Sequence, residues 1–456
     1  MNKSDLKAFN HLVEMLLNEE SQSPVAATIP VEDLFDKIDL SLEDQPIDDQ
    51  KLYDALEFLI KKTPKTASKR FFNQLIGGRR SKAVLGDLIA SILNNSMYTY
   101  KVAGPMVGIE MSVIRSIAQL IDYPDSSGGT ITSGGSISNF MAMVVARDHK
   151  LNTTIKEGIQ QRMVLYTSVE SHYSVTKNAS LIGIGKNQVR SIQTNSLGSI
   201  SIEALKTTLQ EDIQAGYCPF MINATSGTTV LGAFDDIEAL ANISKTYNLW
   251  LHVDGAYGGA VAFTKNRKHY LKGIEKSNSF SISAHKMLGT PLTCSVFITQ
   301  QQQQLFESFS SEADYLFQTQ TDTYNLGKSS FQCGRRNNAL KLWTLWKSIG
   351  TVGIGELVNH QFELATVARK YVKSHDDYTL YGPDNSTSVC FNYKNIDPEL
   401  LSKRLHEHQQ LLVSYGRFKN QKFIRLVTIN SDNTAKEILN FFHIIETFVQ
   451  QNPTLF

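Results

Sequence analysis

Cysteine is scarce in this sequence. Four residues, Cys218, Cys294, Cys333 and Cys390, are spread over 456 positions with no CxxC pair. That spacing excludes a disulfide framework and a zinc site and fits a reducing compartment. An excess of either charge is missing too. Lys and Arg number 45 against 44 Asp and Glu, a net charge of +1, with no basic tract. Nucleic acid is therefore not expected as a main partner. Long hydrophobic runs are also absent. No stretch approaches the roughly 18 apolar residues of a membrane span, so no membrane association is expected. The opening run MNKSDLKAFNHLVEMLLNEE has no uninterrupted apolar segment, so no signal peptide is expected and the chain reads as cytoplasmic.

What remains is ordinary globular material, 41% hydrophobic and 20% charged, long enough for two or three domains. Leu6, Phe9, Leu12, Val13 and Leu16 recur at helical spacing. Residues 21–50 are polar and acidic, with Pro24, Pro30 and Pro46, and read as a linker holding short helices. A second helix is expected from Asp49 to Lys62, before Pro64. Residues 1–65 thus form a helical arm, thin for a domain, that would pack on a partner subunit or on the main body. From residue 66 strand-like runs alternate with helical ones: MVLYT (163–167), FMINA (220–224), LWLHV (249–253), FSIS (280–283) and CSVFI (294–298). Helical patterns lie at 138–150, 201–215 and 236–247. The alternation predicts an α/β fold with a mostly parallel sheet over 66–350, and such sheets bind ligands at their C-terminal strand ends. Residues 311–332 are polar and hydroxyl-rich and read as a long mobile loop. After the apolar helix 339–350, a helix, a strand at 388–393, a helix at 398–411, a strand at 422–429 and a helix at 432–449 predict a small α+β domain over 351–456.

Five stretches at strand ends carry candidate chemistry. In SISAHKMLGTPLTC (281–294) a short strand ends just before His285 and Lys286. A buried unpaired ammonium costs several kcal/mol, so such a lysine is exposed, paired or chemically engaged, for example as a Schiff base with a carbonyl cofactor. In TSGGSISNF (132–140) two glycines precede Ser136 and Ser138 at a helix start. This is an anion site or an ordinary N-capped helix. In LWLHVDGAYGGA (249–260) Asp254 closes a strand and needs either a cation or turn amides. In SVESHYSV (168–175) His172 is flanked by small and hydroxyl residues and could stack on a ring or pass a proton. In NATSGTTVLGAFD (223–235) Thr225, Ser226, Thr228 and Thr229 could bond a cofactor oxygen or cap a helix. Taken together, an anion cradle, a flat imidazole, a carboxylate and a lysine in this order match what pyridoxal phosphate requires.

The same stretches resemble the group II pyridoxal-phosphate amino-acid decarboxylases, most closely the branch of glutamate decarboxylase and cysteine sulfinate decarboxylase. Further matching runs are RFFNQL (70–75), NNSMYTYKVA (94–103), HKMLGTPLTCS (285–295), YLFQ (315–318), QCGRR (332–336), LWTLWKSIGTVG (342–353) and FIRLV (423–427), so the likeness covers about residues 66–450. The resemblance implies the aspartate aminotransferase-like fold (fold type I) and a homodimer with a shared active site. It implies Lys286 as the covalent anchor of the cofactor. Gly135, Ser136, Ile137, Ser138, Ser283 and His285 would hold the phosphate. Asp254 would pair with the ring nitrogen, Ala256 would lie under the ring, His172 would stack above it, and Thr225 would approach a cofactor or substrate oxygen. Gln74 and Arg425 would bind a substrate carboxylate. Tyr324, in a loop over 317–331, would return a proton to the α-carbon. No metal is implied. The expected reaction is decarboxylation of a small acidic L-amino acid: glutamate, cysteine sulfinate or aspartate. Rival readings are a decarboxylase of another amino acid such as 2,4-diaminobutyrate, or an aldehyde synthase of the same fold. A cofactor-free paralogue acting as a binding or regulatory protein would not need Lys286, Asp254, His172 and the 133–138 cradle together.

Overall fold

Short runs rich in β-branched and aromatic side chains become strands, and the glycine and polar runs between them become turns. The computed structural model describes residues 2–22, 25, 28–310 and 322–456. Among these, the strands in chain order are β1 (Phe71–Phe72), β2 (Gly128–Thr132), β3 (Met163–Ser168), β4 (Val189–Ile192), β5 (Cys218–Thr225), β6 (Trp250–Gly255), β7 (Ser279–Ser283), β8 (Ser295–Thr299), β9 (Tyr378–Tyr381), β10 (Ser388–Tyr393), β11 (Leu412–Phe418) and β12 (Gln421–Val427).

A seven-stranded sheet has the order β2-β8-β7-β6-β5-β3-β4. Strands β7, β6, β5, β3 and β4 pair in parallel, and β8 runs antiparallel to both of its neighbours, β2 and β7. Two reversals cancel, so β2 points the same way as the parallel strands. Their C-terminal ends all meet one edge of the sheet. The mostly parallel α/β architecture read from the sequence is present.

The helix Gly135–Lys150 follows β2. Its middle, Met141 to Ala146, is buried against Met163, Leu165, Phe220, Met221, Trp250 and Phe297 of the sheet. Its polar first turn is thereby left at the sheet edge, and Arg147, His149 and Lys150 meet the negative end of the helix dipole. The helices Ile202–Gln214 and Ile237–Tyr247 start on side-chain caps, from Ser201 and Asp236.

The chain divides into two compact units. One comprises Met1–Gly78, Thr366–Tyr381 and Val389–Phe456, and the other Arg79–Ala365 and Gly382–Ser388. The first carries a five-stranded sheet of order β1-β11-β12-β10-β9. The three-part division read from the sequence and this two-unit division cut the chain in different places. Phe71 and Phe72 pair in parallel with Leu412 and Val413, which ties the end of the N-terminal segment to the C-terminal residues. A helix from Ala339 breaks at Gly350, whose φ of 66° suits glycine, and a second helix runs on to Lys373, so the helix end read at 350 is present. The expected N-terminal helices form as Lys3–Gln22 and Asp49–Lys62.

Some elements escaped the sequence reading. The helices Ser81–Leu93 and Met106–Leu120 went unread, as did β1, β4, β9 and β11. Strand β2 reads GGTIT, which looks like a turn. At Gly129 a Cβ would come within 2.3 Å of the Phe297 carbonyl, so the close strand approach demands glycine. The helix expected over 398–411 stops at Glu407, and the next residues build β11. Among the described residues no helix is long and apolar enough to cross a membrane.

One buried ion pair fastens the second unit. Arg335 Nη1 donates to Glu110 Oε1 at 2.7 Å, Thr130 Oγ1 at 2.9 Å and the Ile131 carbonyl at 3.1 Å. Glu110 Oε1 also accepts the Ile131 N–H. Removing one partner strands a desolvated charge, so Glu110→Ala should cost about 3–5 kcal/mol in urea unfolding. The double variant Glu110→Leu/Arg335→Met should recover much of that loss. Additive losses in the double variant would show that the pairing is not what holds this region.

Candidate active site

At the shared edge of the seven-stranded sheet lies a cavity of about 310 Å³. Its wall includes Gly135, Ser136 and Ile137 after β2, His172 after β3, Thr225 on β5, Asp254 and Ala256 around the end of β6, and His285 and Lys286 after β7. Residues up to 150 positions apart in the chain converge because every contributing strand ends there.

The first wall is a helix start. Gly134 has φ of 145°, a value that side-chain-bearing residues rarely adopt. Gly135 is also constrained, since a Cβ there would sit 3.0 Å from Ala256 Cβ. Ile137 and Ser138 turn their N–H groups back onto the Gly134 carbonyl. The N–H groups of Gly135 and Ser136, at the positive end of a 16-residue helix, suit an anion. Ser138 does not line the cavity. It is fully buried, and its hydroxyl bonds Thr132 Oγ1 at 2.8 Å. Ser283 is likewise buried, bonded to Ser295 Oγ at 2.7 Å.

The second wall is Asp254, 5% exposed. Its Oδ1 accepts the Ala256 N–H at 3.0 Å and its Oδ2 accepts the Asn139 amide at 2.7 Å. His172 is half-buried, with Nδ1 2.8 Å from Ser174 Oγ. Burial lowers the pKa of His172, Asp254 opposes that shift and Lys286 adds to it, so the ring is neutral at pH 7. Lys286 opens partly onto the cavity. Burial depresses the pKa of its ammonium, and Asp254 pulls the other way. A depressed lysine pKa is what a nucleophilic amine needs. His285 is held at Nδ1 by the Cys294 backbone at 3.0 Å.

Thr225 Oγ1 and Ser226 Oγ are buried without a hydrogen-bond partner among the described residues. Such orphans are rare unless a ligand or water completes them. The cavity can therefore hold an anion at one end, a cationic ring nitrogen beside Asp254, and a carbonyl at Lys286.

Sequence reasoning missed several wall residues: Asn139, Tyr173, Gly227, Tyr257, Leu292 and Thr293; Thr229, read as a candidate hydroxyl, does line the cavity. Asn139 had a signal, standing one helical turn after Ser136 at the same helix start. Tyr324 is not among the cavity residues of its own chain. It is exposed, and its ring packs edge-on against Tyr100 at 5.8 Å. Of the loop expected over 317–331, residues 317–321 lie outside the described residues, as does the run at 315–318. In the first unit Gln74 is exposed and Arg425 is 9% exposed. Arg425 Nε donates to Ser414 Oγ at 3.1 Å and Nη2 to the Asn73 carbonyl at 2.8 Å. Among the described residues no group of acidic, histidine and cysteine side chains could hold a metal.

Comparison with known proteins agrees with this chemistry. Residues 32–394 match the pyridoxal-dependent decarboxylase conserved domain. Human cysteine sulfinic acid decarboxylase is 35% identical over 432 residues, covering 89% of this chain and 87% of that protein. The bovine acidic amino acid decarboxylase GADL1 is 35% identical over 378 residues, covering 81% and 72%. The crystal structure of mouse CSAD in apo form superposes with a TM-score of 0.92 at 28% identity, covering 98% of this chain and 99% of that one.

Two buried imidazoles tie stability to pH. Burial pushes His252 and His285 down to about 4. Unfolded histidine titrates near 6.5, so the folded values are depressed. Their contribution is complete above pH 6.5 and is lost as pH falls toward 4, at about 1.4 kcal/mol per pH unit for each ring. Urea midpoints should therefore drop between pH 6.5 and 4.5, and less steeply in His252→Gln. Equal slopes in parent and variant would contradict the buried neutral imidazole.

Proposed function

The chain belongs to the pyridoxal-dependent decarboxylase family and is a pyridoxal-phosphate-dependent carboxy-lyase acting on an amino acid, and we propose that its substrate is a small acidic L-amino acid. Cysteine sulfinate, glutamate and aspartate are the candidates. The observation that carries this reading is Arg425, a guanidinium steadied by Ser414 and Asn73, in a chain 35% identical to a cysteine sulfinic acid decarboxylase. A planar guanidinium takes a carboxylate or sulfinate through two parallel charge-assisted bonds.

The residues present fit pyridoxal phosphate. The orphaned Thr225 hydroxyl, the helix start that excludes a Cβ at Gly135, and Asp254 facing the same space as Lys286 are each what that molecule requires. In this reading Gly135, Ser136, Ile137 and His285 form the phosphate end, with Ser138 and Ser283 buried behind it on Thr132 and Ser295. Lys286 is the covalent anchor, Ala256 and His172 bracket the ring, and Thr225 meets an oxygen. When bound, pyridoxal phosphate supplies the electron sink for the charge left at the substrate α-carbon once carbon dioxide departs. Asp254, its carboxylate oriented by two donors, keeps a proton on the ring nitrogen. Burial and a neutral His172 keep water from that face. Gln74 and Arg425 orient the substrate through its carboxylate.

Arg425→Ala should raise KM for acidic substrates by about 10- to 100-fold, the loss of one bidentate contact, while cofactor absorbance is unchanged. An amino-acid panel scored for carbon dioxide and amine reads the same preference from the substrate side. A parent enzyme that prefers neutral or basic amino acids, or unchanged kinetics in the variant, would refute the acidic-substrate assignment.

Tyr324 is exposed and does not line its own chain's cavity, and we assign it as proton donor to the cavity of a second copy in a homodimer. Helix Ser81–Leu93 exposes Leu85, Leu88, Ile89, Ile92 and Leu93, an apolar face suited to such a pairing. Mixing inactive Lys286→Ala with inactive Tyr324→Phe should restore about a quarter of parental activity, because half of the dimers are mixed and each carries one intact site. Absence of complementation after verified subunit exchange, or a monomer in sedimentation, would rule out the shared site.

A further inference from the structure

Behind the cavity a chain of hydrogen bonds runs through four separate elements of the second unit. Trp250 Nε1 donates to Ser279 Oγ at 2.8 Å, and Ser279 Oγ is 2.9 Å from His252 Nδ1. His252 Nε2 is 3.1 Å from Asn139 Oδ1. The Asn139 amide nitrogen reaches Asp254 Oδ2 at 2.7 Å and Ser174 Oγ at 3.1 Å. Ser174 Oγ is 2.8 Å from His172 Nδ1. Asn139, Ser174, His252, Ser279 and Trp250 are all buried, so no bulk water competes for these groups.

The direction of each bond follows from donor counting. A carboxylate offers only lone pairs, so the Asn139 nitrogen must face Asp254 and its oxygen must face His252. His252 then carries its proton on Nε2. Burial keeps that ring neutral, so its Nδ1 is a lone pair that accepts from Ser279. Ser279 in turn accepts from Trp250, which can only donate. On the other side, the second Asn139 hydrogen goes to Ser174. The Ser174 hydroxyl donates its hydrogen bond to His172 Nδ1, which also accepts the Ser174 backbone N–H at 3.3 Å. His172 is left with its proton on Nε2.

We propose that Asn139 is a positioning residue serving both faces of the site: one amide hydrogen orients the Asp254 carboxylate, and the other, through Ser174, fixes His172 as the Nε2–H tautomer. His172 then meets the cavity as a hydrogen-bond donor and not as a base. A carboxylate arriving near it would meet a hydrogen-bond donor. The proposal rests on Asp254 and His172 being the cofactor's partners, but the tautomer itself belongs to the protein alone.

Nitrogen-15 spectra of ring-labelled histidine test this in cofactor-free protein, with His172→Gln used to assign the His172 signals. The parent should show His172 and His252 both protonated at Nε2. Ser174→Ala should leave His172 averaging between tautomers. In that variant kcat should fall about tenfold at unchanged KM, as the loss of one buried hydrogen bond implies. Asn139→Ala should shift the His252 Nε2 proton and weaken pyridoxal phosphate binding, read by absorbance titration, by about tenfold. His172 protonated at Nδ1 in the parent, or a His172 pattern untouched by Ser174→Ala, overturns the proposal. So does Asn139→Ala binding the cofactor with parental affinity and spectrum. If Asn139→Ala does not fold, Ser174→Ala still decides the His172 half. Parent protein that takes up no pyridoxal phosphate would instead sink the cofactor-site reading and leave the tautomer result standing.

Discussion

A carboxylate at the end of a fully buried strand has to be matched by donors, and Asp254 sets that requirement for the whole site. Without the Ala256 N–H and the Asn139 amide, its desolvation would cost several kcal/mol. Meeting the demand fixes the neighbourhood. The helix Gly135–Lys150 must begin close enough for Asn139 to reach β6, which brings Gly135 against Ala256 and leaves little room for a side chain there. The same approach delivers the first-turn N–H groups to the cavity. The anion end and the carboxylate end of the site are therefore two consequences of one packing contact.

The same helix explains why the site is rigid. Its apolar middle is locked into the core by Met141, Met143 and Val145, so its first turn cannot drift from the sheet edge. The opposite pull on Lys286 is also geometric. Burial favours the neutral amine and Asp254 favours the charged one, and neither is paired to the lysine by a direct salt bridge among the described residues. An amine held between these influences keeps a usable lone pair without losing its place at the end of β7.

Much of this was legible in the sequence because strand-end chemistry is local. Asp254, His172 and Lys286 each follow an apolar strand that announces its own end, and the glycine–serine run announces a helix start. The helix over 49–62 and the core strands at 163, 220, 250 and 280 followed from periodicity for the same reason. What escaped was non-local. Strand β2 hides behind glycines that are needed only because β8 lies against it, and β1 is two residues that make sense only beside β11. Asn139 is an unremarkable polar residue in a helix until the fold sets Asp254, His252 and Ser174 around it. Ser138 and Ser283 read as cavity hydroxyls by position, yet helical rotation and strand alternation turn them toward Thr132 and Ser295.

Arg425 shows where local pattern stops carrying function. In sequence it is one cation in a strand, with the alternation of an ordinary sheet face. In the first unit it is nearly buried, with Nε on Ser414 and Nη2 on a backbone carbonyl of the 70–75 run. Those contacts stiffen a side chain that would otherwise carry much rotamer freedom. A preorganised guanidinium discriminates by charge at little entropic cost. If Arg425 meets the substrate as proposed, carboxylate and sulfinate would both offer two oxygens to the same fork. Selectivity among glutamate, aspartate and cysteine sulfinate would then have to come from side-chain length, since all three would satisfy the same guanidinium equally by charge.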